Sequence, residues 1–315
     1  MKITVLEHVQ MTDDQRAKLE RLGDACWNES STEVECRARI ENADVVVVDW
    51  IDPSPFILEM KSPSLLALMS TGFGWIKHRE EARERGILIS NIPGYATEAV
   101  AEHIIGLLLA VTRRIVTGAQ SVHNGETAKG NLPGIELAGR TMGIIGLGRI
   151  GSRVAELANA FGMKLVTHNR HPKHMPRILD LSLAALLESS DVVCVSCPLN
   201  DQSRDLLDAT NLRLLRRGSI LVGATWDVVN VSDLIPLLRS GHIRGFGFDA
   251  AIEGGGITLP PDLRQLENVV ITPHVGFNTV EATIRQADIC IENIAAFKNT
   301  RPINIVNELQ AVAPE

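Results

Sequence analysis

Short β-branched runs alternate with helix-like stretches along almost the whole chain, and this alternation constrains the fold more than any other feature of the sequence. The strand predicted at residues 45–50 opens with four consecutive valines, which is typical of a strand that is covered on both faces. Residues 3–6, 65–70 and 87–90 repeat the pattern, and residues 12–22 have helical charge spacing with Thr12 as a predicted N-cap. Strands and helices that alternate at this pitch predict parallel βαβ units.

A second alternating series begins at Thr141. It predicts strands at residues 142–145, 165–167, 192–195, 220–222, 245–248 and 269–271. It predicts helices near residues 150–161, 181–187, 211–215 and 231–239, followed by a helix at residues 280–297. Six strands with crossover helices predict a doubly wound sheet. Because 315 residues is about twice the length of a typical domain, two domains are expected.

The two series are separated by residues 95–116, which are apolar almost throughout. This length suits one long helix that is buried against another domain or subunit. Residues 123–139 are rich in glycine and polar side chains, and they are predicted to form a connecting loop.

Charge and cysteine content exclude several classes of function. Lysine and arginine number 31 against 38 aspartates and glutamates, so the net charge is −7, which argues against broad capture of nucleic acid or anionic membranes. The longest apolar run, residues 104–111, is far short of the roughly 20 residues that span a bilayer. Five scattered cysteines fit a reducing compartment better than a disulfide framework. A soluble cytoplasmic protein is therefore expected.

A glycine-rich turn at residues 146–151 (GLGRIG) follows one predicted strand and opens one predicted helix. In this context Gly146 allows a tight turn, Gly148 lets backbone N–H groups approach a pyrophosphate, and Gly151 permits close packing of helix on strand. Glycine-rich turns also close sheets that bind no ligand, but the strand before and the helix after favour a dinucleotide site.

The segment after the next strand bears on the choice of dinucleotide. Asn169 stands eighteen residues after Gly151, near the place where NAD-preferring sites carry an acidic residue for the ribose hydroxyl. The amide does not repel a 2′-phosphate, and Arg170 and His171 beside it can pair with one. The pattern favours NADP(H) and keeps NAD(H) as an alternative, and an exposed basic loop with no ligand role is the simpler interpretation. No metal site is predicted.

Several motifs in a fixed order resemble those of the D-isomer-specific 2-hydroxyacid dehydrogenases, over nearly the whole chain. They are residues 82–87 (ARERGI), 91–103 (NIPGYATEAVAEH), 143–148 (GIIGLG), 197–199 (CPL), 247–249 (GFD) and 272–274 (TPH). Several ordered motifs are more specific than one glycine loop.

The resemblance implies two doubly wound, parallel-sheet α/β domains with a cleft between them. A flavodoxin-like substrate domain would comprise residues 1–98 and 280–315, and a Rossmann NAD(P)-binding domain residues 99–279. Members of the family are commonly homodimers joined through their cofactor domains, and the helix predicted at residues 95–116 is the candidate contact.

The resemblance also implies hydride transfer between a nicotinamide and a 2-hydroxy or 2-oxo acid, or a related carbonyl substrate. A histidine that gives or takes the proton, a glutamate that orients it and an arginine that binds the carboxylate carry this chemistry in the family. His274 matches the histidine. Gly254 occupies the glutamate's place, so the neighbouring Glu253, in a glycine-rich loop, is expected to orient His274.

Trp226 stands at the family's arginine position, and this is the main departure from the pattern. An indole carries no charge, and a lost charge-assisted contact is worth about 1.5–3 kcal/mol. Residues 70–77 (STGFGWIK) match the loop whose backbone N–H groups receive the substrate carboxylate, which assigns substrate binding to Gly72, Phe73 and Gly74. Trp226 is expected either to line the same pocket or to pack in the domain interface.

The glycine loop, the segment after it and the resemblance together define a predicted cofactor-binding set. It consists of Thr97, Gly146, Gly148, Arg149, Ile150, Gly151, Asn169, Arg170, His171, Cys197, Pro198, Ala224, Thr225, Asp249 and Gly276.

Two functions follow from these patterns. The first is an NADP(H)-dependent oxidoreductase that acts on a small-molecule substrate through His274. The second is a catalytically silent dinucleotide-binding sensor or interaction module, which the replacement of the arginine by Trp226 supports.

Overall fold

A computed structural model describes residues 1–125, 132–170, 175–176, 178–250 and 259–307. Within these ranges the strands are β1 (Lys2–Val5), β2 (Asp24–Trp27), β3 (Val45–Val48), β4 (Ser64–Leu68), β5 (Ile87–Ser90), β6 (Thr141–Ile145), β7 (Lys164–His168), β8 (Leu179–Asp180), β9 (Val192–Val195), β10 (Ser219–Gly223), β11 (Ile243–Asp249) and β12 (Val269–Thr272). The α-helices are α1 (Asp13–Leu22), α2 (Glu33–Ile40), α3 (Arg79–Glu84), α4 (Thr97–Thr112), α5 (Ile115–His123), α6 (Arg149–Ala160), α7 (Leu183–Ser189), α8 (Ala209–Leu214), α9 (Val231–Arg239), α10 (Pro261–Arg264) and α11 (Val280–Lys298).

The chain divides into two compact units. The first contains Met1–Ala96 and Thr279–Glu315, and the second contains Thr97–Asn278. Every described ladder between named strands is parallel. Two parallel α/β sheets confirm the predicted fold class.

The first unit is built on a five-stranded sheet in the order β2-β1-β3-β4-β5, which is the flavodoxin-like order. Its central strand β3 consists of four valines that are all fully buried, as expected for a strand covered on both faces. Thr12 caps α1 in a capping box with Gln15, so the predicted N-cap is confirmed. The Gln15 side chain also donates to Asp288 on α11 at 2.9 Å, which joins the two ends of the chain in one unit.

The second unit is built on a seven-stranded sheet in the order β12-β11-β10-β9-β6-β7-β8. Its strand order reverses between β6 and β9, the topological switch point at which ligands bind in open α/β sheets, beyond the carboxyl ends of the strands. Two buried apolar clusters cover the two faces of this sheet. The order is that of a Rossmann fold with one further strand.

The single long helix predicted at residues 95–116 is wrong, because the structure has two helices there. Helix α4 ends at Thr112, whose carbonyl accepts a hydrogen bond from the N–H of Ile135. Arg114 then takes a left-handed conformation with φ of 52°, which interrupts the helical hydrogen bonds before α5 begins. The described residues 132–140 after α5 contain neither helix nor strand, as predicted for this connection.

Candidate active site

The glycine-rich turn joins β6 to α6 at the switch point of the seven-stranded sheet. Gly146 has a φ of +94°, and a Cβ there would lie 2.6 Å from the backbone nitrogen of Cys197, so the turn has no room for a side chain. A Cβ at Gly151 would lie 2.6 Å from Ser196 Oγ and would also meet the Gly146 carbonyl oxygen. Gly148 differs, because a Cβ there would meet nothing within 4 Å. Its open side fits the close approach of a pyrophosphate.

Helix α6 begins at Arg149 with Gly148 as its N-cap, and no side chain caps its first turn. Its first turn carries no acidic residue, so the N–H groups and the positive end of the helix dipole suit an anionic ligand. Ile150 is partly buried against the apolar cluster that contains β6 and thereby anchors the start of the helix. These residues fit a dinucleotide.

Asn169 braces the glycine loop. Its Oδ1 accepts a hydrogen bond from the N–H of Leu147 at 2.6 Å, and its Nδ2 donates to Thr167 Oγ1 at 3.1 Å. Asp180 also lies close to Asn169, whose side-chain Nδ2 is 3.4 Å from the Asp180 Oδ1 atom. Exposed Arg170 donates to the Gln202 side chain at 3.0 Å. His171, the third residue predicted for the 2′-phosphate, lies outside the described residues.

Most other predicted cofactor positions lie at the carboxyl ends of adjacent strands of the same sheet. Cys197 and Pro198 follow β9, Ala224 and Thr225 follow β10, Asp249 ends β11, Gly276 follows β12 and Thr97 begins α4.

Burial raises the pKa of the Cys197 thiol to about 11 and that of Cys194 to about 12. Both cysteines therefore stay as thiols at neutral pH, which disfavours a redox role for this pair.

His274 lies on a tight turn after β12 and has a φ of +54°. The carboxylate of Asp249, which is only 4% exposed, accepts hydrogen bonds from Val275 N at 3.0 Å and Gly276 N at 2.7 Å. The imidazole is half-buried and lies 5.5 Å from the Phe277 ring, measured between ring centroids. The turn thus holds a titratable imidazole at the carboxyl edge of the sheet. Glu253, predicted to orient it, lies outside the described residues.

Trp226 begins a 3-10 helix that is separated from the end of β10 by two residues. Its indole packs edge-on against Phe246 and Phe248, with ring centroids 5.7 and 6.3 Å away, and it borders the apolar cluster of the second unit. At least part of the indole therefore has a packing role inside this unit. The indole carries no charge, and the next residue, Asp227, is paired with Arg204 at 3.6 Å.

The loop predicted to receive the substrate carboxylate lies in the first unit, after β4. Within the described residues, the N–H groups of Gly72, Phe73 and Gly74 have no protein acceptor. Arg79 holds two carbonyls of this loop, because it donates to Phe73 O at 3.2 Å and to Gly74 O at 3.0 Å. Trp75 Nε1 donates to Gly72 O at 3.2 Å. Three open N–H groups beside a guanidinium can donate hydrogen bonds to a substrate carboxylate.

A half-buried carboxyl group, that of Asp49, lies at the same edge of the five-stranded sheet. Burial, and secondarily the charge of Glu7, raise the pKa of Asp49 to about 7. Glu7 Oε1 accepts hydrogen bonds from the backbone N–H groups of Asp49, Trp50 and Ile51 at 2.9–3.0 Å. This carboxylate therefore fixes the segment that follows β3.

Sequence reasoning gave no role to Asp49, Arg79, His103 or Thr272. His103 and Thr272 fall inside quoted motifs, and Asp49 follows a continuous apolar run, which is a usable signal for burial. Nothing in the sequence near Arg79 indicates its contacts.

Among the described residues, no helix is both long and apolar enough to cross a membrane. Nor does that part of the chain group three or more metal-binding side chains.

Comparison with known proteins gives consistent results. A family model described as the NAD binding domain of D-isomer specific 2-hydroxyacid dehydrogenases matches residues 105–276. A glyoxylate reductase from Aeropyrum pernix is 37% identical over 259 residues, covering 77% of this chain and 76% of that protein.

Solved structures extend the likeness to both units. An acyclic imino acid reductase in complex with NADPH and D-Arg is 27% identical, with a TM-score of 0.86 over 97% of this chain and 100% of that one. An NADPH-dependent glyoxylate/hydroxypyruvate reductase from Sinorhizobium meliloti is 25% identical, with a TM-score of 0.83 over 97% of this chain and 96% of that one.

Proposed function

Because the chain belongs to the D-isomer specific 2-hydroxyacid dehydrogenase family, we propose that it is an NADP(H)-dependent reductase of 2-oxo acids. The observation that carries the proposal is the carboxyl edge of the seven-stranded sheet. That edge holds the open glycine loop around Gly148 and the imidazole of His274. The glycine loop would hold a nicotinamide dinucleotide, which would supply the hydride.

His274 is the proposed proton donor. As hydride reaches the carbonyl carbon, negative charge develops on the oxygen, and a proton from the imidazole neutralises it. The N–H groups of Gly72, Phe73 and Gly74 are the proposed carboxylate receptor. Turnover of NADPH with glyoxylate, hydroxypyruvate and pyruvate tests this function, with His274→Gln as the inactive control. Equal rates in the wild type and His274→Gln would refute the role of His274.

The preference for NADP(H) rests on Asn169 and Arg170. An amide next to an exposed guanidinium does not repel a 2′-phosphate, although Asp180 adds an acidic group nearby. We expect Asn169→Asp to lower the ratio of NADPH to NADH binding affinity by about tenfold or more, since it puts a like charge beside the phosphate. Asp180→Asn, the matched control, should leave that ratio unchanged or raise it. An unchanged ratio in Asn169→Asp would refute this role of Asn169.

The presence of Trp226 at the family's arginine position affects which class of substrate the site would reduce. A carbonyl oxygen gains negative charge during reduction, whereas a protonated imine loses positive charge and needs no fixed cation. The imino acid reductase among the similar structures gives a reason to include imines in the substrate panel. Imines formed from a 2-oxo acid and an amine therefore belong beside the free 2-oxo acids.

The second candidate function is a catalytically silent NADP(H)-binding protein. The packing of Trp226 on Phe246 and Phe248 favours it, because this residue is used structurally where the family carries its arginine. The silent binder predicts NADPH binding without turnover of any substrate in the panel. Gain of 2-oxo acid reduction in Trp226→Arg would then indicate an otherwise competent site, and no gain would support the silent binder.

A homodimer is the proposed assembly. Helix α5 in the second unit exposes Ile115 (54%) and Val122 (74%), two apolar side chains that a second copy would cover. Val122→Glu should shift the protein towards monomer in analytical ultracentrifugation. Val34→Glu, on an equally exposed valine of α2 (77%), should not. A wild-type monomer at micromolar concentration would overturn the proposal.

A further inference from the structure

His103, on α4, contacts the group of residues that builds the His274 turn. Its Nε2 lies 2.8 Å from Thr272 Oγ1 and 3.8 Å from Asp249 Oδ1. The side chain is three-quarters buried. A Cβ at Gly276 would lie 3.1 Å from the Cδ2 atom of His103, so the ring packs directly over the backbone of the turn. His103 and Thr272 are 169 residues apart in the sequence.

The single hydroxyl hydrogen of Thr272 determines which atoms carry protons in this group. The Thr272 hydroxyl has one hydrogen, and it donates to Asp249 Oδ1 at 2.6 Å. His103 must therefore donate from Nε2 to Thr272 Oγ1. Asp249 then accepts from Thr272, from Val275 N and from Gly276 N. Donors therefore converge on the Asp249 carboxylate from two sides: His103 through the Thr272 hydroxyl, and the backbone N–H groups that follow His274.

The turn requires such support because His274 is held in the left-handed region. A residue with a Cβ reaches this region only at a cost in free energy, so neighbouring contacts must hold it there. The N–H groups of Val275 and Gly276, the two residues after His274, both donate hydrogen bonds to the Asp249 carboxylate. A carboxylate that rotates would release both.

We propose that His103 is a positioning residue: through Thr272 it orients the Asp249 carboxylate, which holds His274 in its left-handed conformation. The inference rests on the proposed function of His274 as proton donor. His103 itself touches no reacting atom in this account. It acts through the carboxylate and the turn.

A pair of substitutions isolates the donor. In His103→Gln the side-chain amide can reach the place of Nε2 and donate to Thr272, whereas His103→Leu keeps the bulk and removes the donor. We expect His103→Leu to lower kcat about tenfold, since a small misplacement of a proton donor slows the chemical step. NADPH affinity and the KM for the 2-oxo acid should stay within about twofold of wild type, and His103→Gln should recover most of kcat. Equal losses in both variants, or no loss in His103→Leu, would overturn the proposal.

Nuclear magnetic resonance separates failure of this inference from failure of the proposed function. Turnover by the wild type tests the function, whereas the imidazole resonances report the contacts in an inactive protein as well. We expect the wild type to show His103 as the Nε2–H tautomer. We expect the His274 resonances to move in His103→Leu and in Thr272→Val, but not in Thr272→Ser, which keeps the hydroxyl. The Nδ1–H tautomer at His103, or unmoved His274 resonances in Thr272→Val, would refute the proposal.

Discussion

Two alanine substitutions separate the two structural tasks of the glycine loop. Gly148 lies against open space, so Gly148→Ala adds a methyl group only where a pyrophosphate would approach. Gly151 lies against the Gly146 carbonyl and Ser196 Oγ, so Gly151→Ala forces helix α6 away from the strand ends. We therefore expect Gly148→Ala to impair cofactor binding and Gly151→Ala to impair stability.

The magnitudes follow from the local contacts. Losing one N–H to phosphate hydrogen bond costs about 1.5–3 kcal/mol, so Gly148→Ala should raise the Kd for NADPH about 10- to 150-fold. Its φ of −79° suits alanine, and the loss of folding free energy should stay within about 1 kcal/mol. Overpacking at Gly151 costs about 1–3 kcal/mol, offset by about 1 kcal/mol of helix propensity. Because the added methyl group would meet the backbone carbonyl of Gly146, the overpacking cost lies at the upper end of that range, and the expected net loss is about 1–2 kcal/mol.

Nicotinamide fluorescence measures NADPH binding, and thermal unfolding of the ligand-free protein measures stability. A loss of 2 kcal/mol corresponds to a fall in Tm of about 4–8 °C for a unit of this size. Wild-type affinity in Gly148→Ala would refute a pyrophosphate at this loop. A Tm in Gly151→Ala equal to that of the wild type would refute the close packing of α6.

Two further predictions concern the first unit. The pKa of Asp49 is raised from 3.8 to about 7, so the folded protein binds an extra proton between these values and its stability falls as the pH rises through that window. Asp49→Asn removes the carboxyl group and with it this loss of stability. Urea unfolding should therefore show that the variant is more stable than the wild type by up to about 4 kcal/mol at pH 8, and that the difference vanishes below pH 4. A gain in stability that does not depend on pH would contradict the raised pKa of Asp49. Arg79→Gln removes the bonds to Phe73 O and Gly74 O and should raise the KM for a 2-oxo acid about tenfold without changing NADPH affinity. Arg83→Gln on the same helix is its control, and an equal change in both variants would count against the role of Arg79.

The buried strands could be predicted from the sequence because continuous apolar runs mark them. Strands β3 and β9 are such runs, and both lie in the interior of their sheets. The predictions omitted the strands β2 and β8 and the helices α2, α3 and α10. Strands β2 and β8 are sheet edges with exposed or half-exposed residues, so they carry no continuous run. Helix α2 (EVECRARI) is short and mostly charged, with only Cys36 and Ile40 buried.

The candidate site likewise combines features that the local sequence predicts with contacts that only the fold brings about. The glycine loop is local in sequence, and its spacing alone suggests its geometry. The contact of His103 with Thr272 depends on the fold, since it joins α4 to the end of β12 across 169 residues. The packing of Trp226 on Phe246 and Phe248 likewise depends on adjacent strands, so the sequence left its role open.

Deuterium transfer tests the central claim most directly. NADPH that carries deuterium at the transferable C4 position of its nicotinamide is incubated with the protein and glyoxylate, hydroxypyruvate or pyruvate, and the products are analysed by mass spectrometry. We expect a 2-hydroxy acid with one deuterium on the former carbonyl carbon, formed by the wild type and nearly absent with His274→Gln. No deuterated 2-hydroxy acid from any of the three substrates would contradict the account.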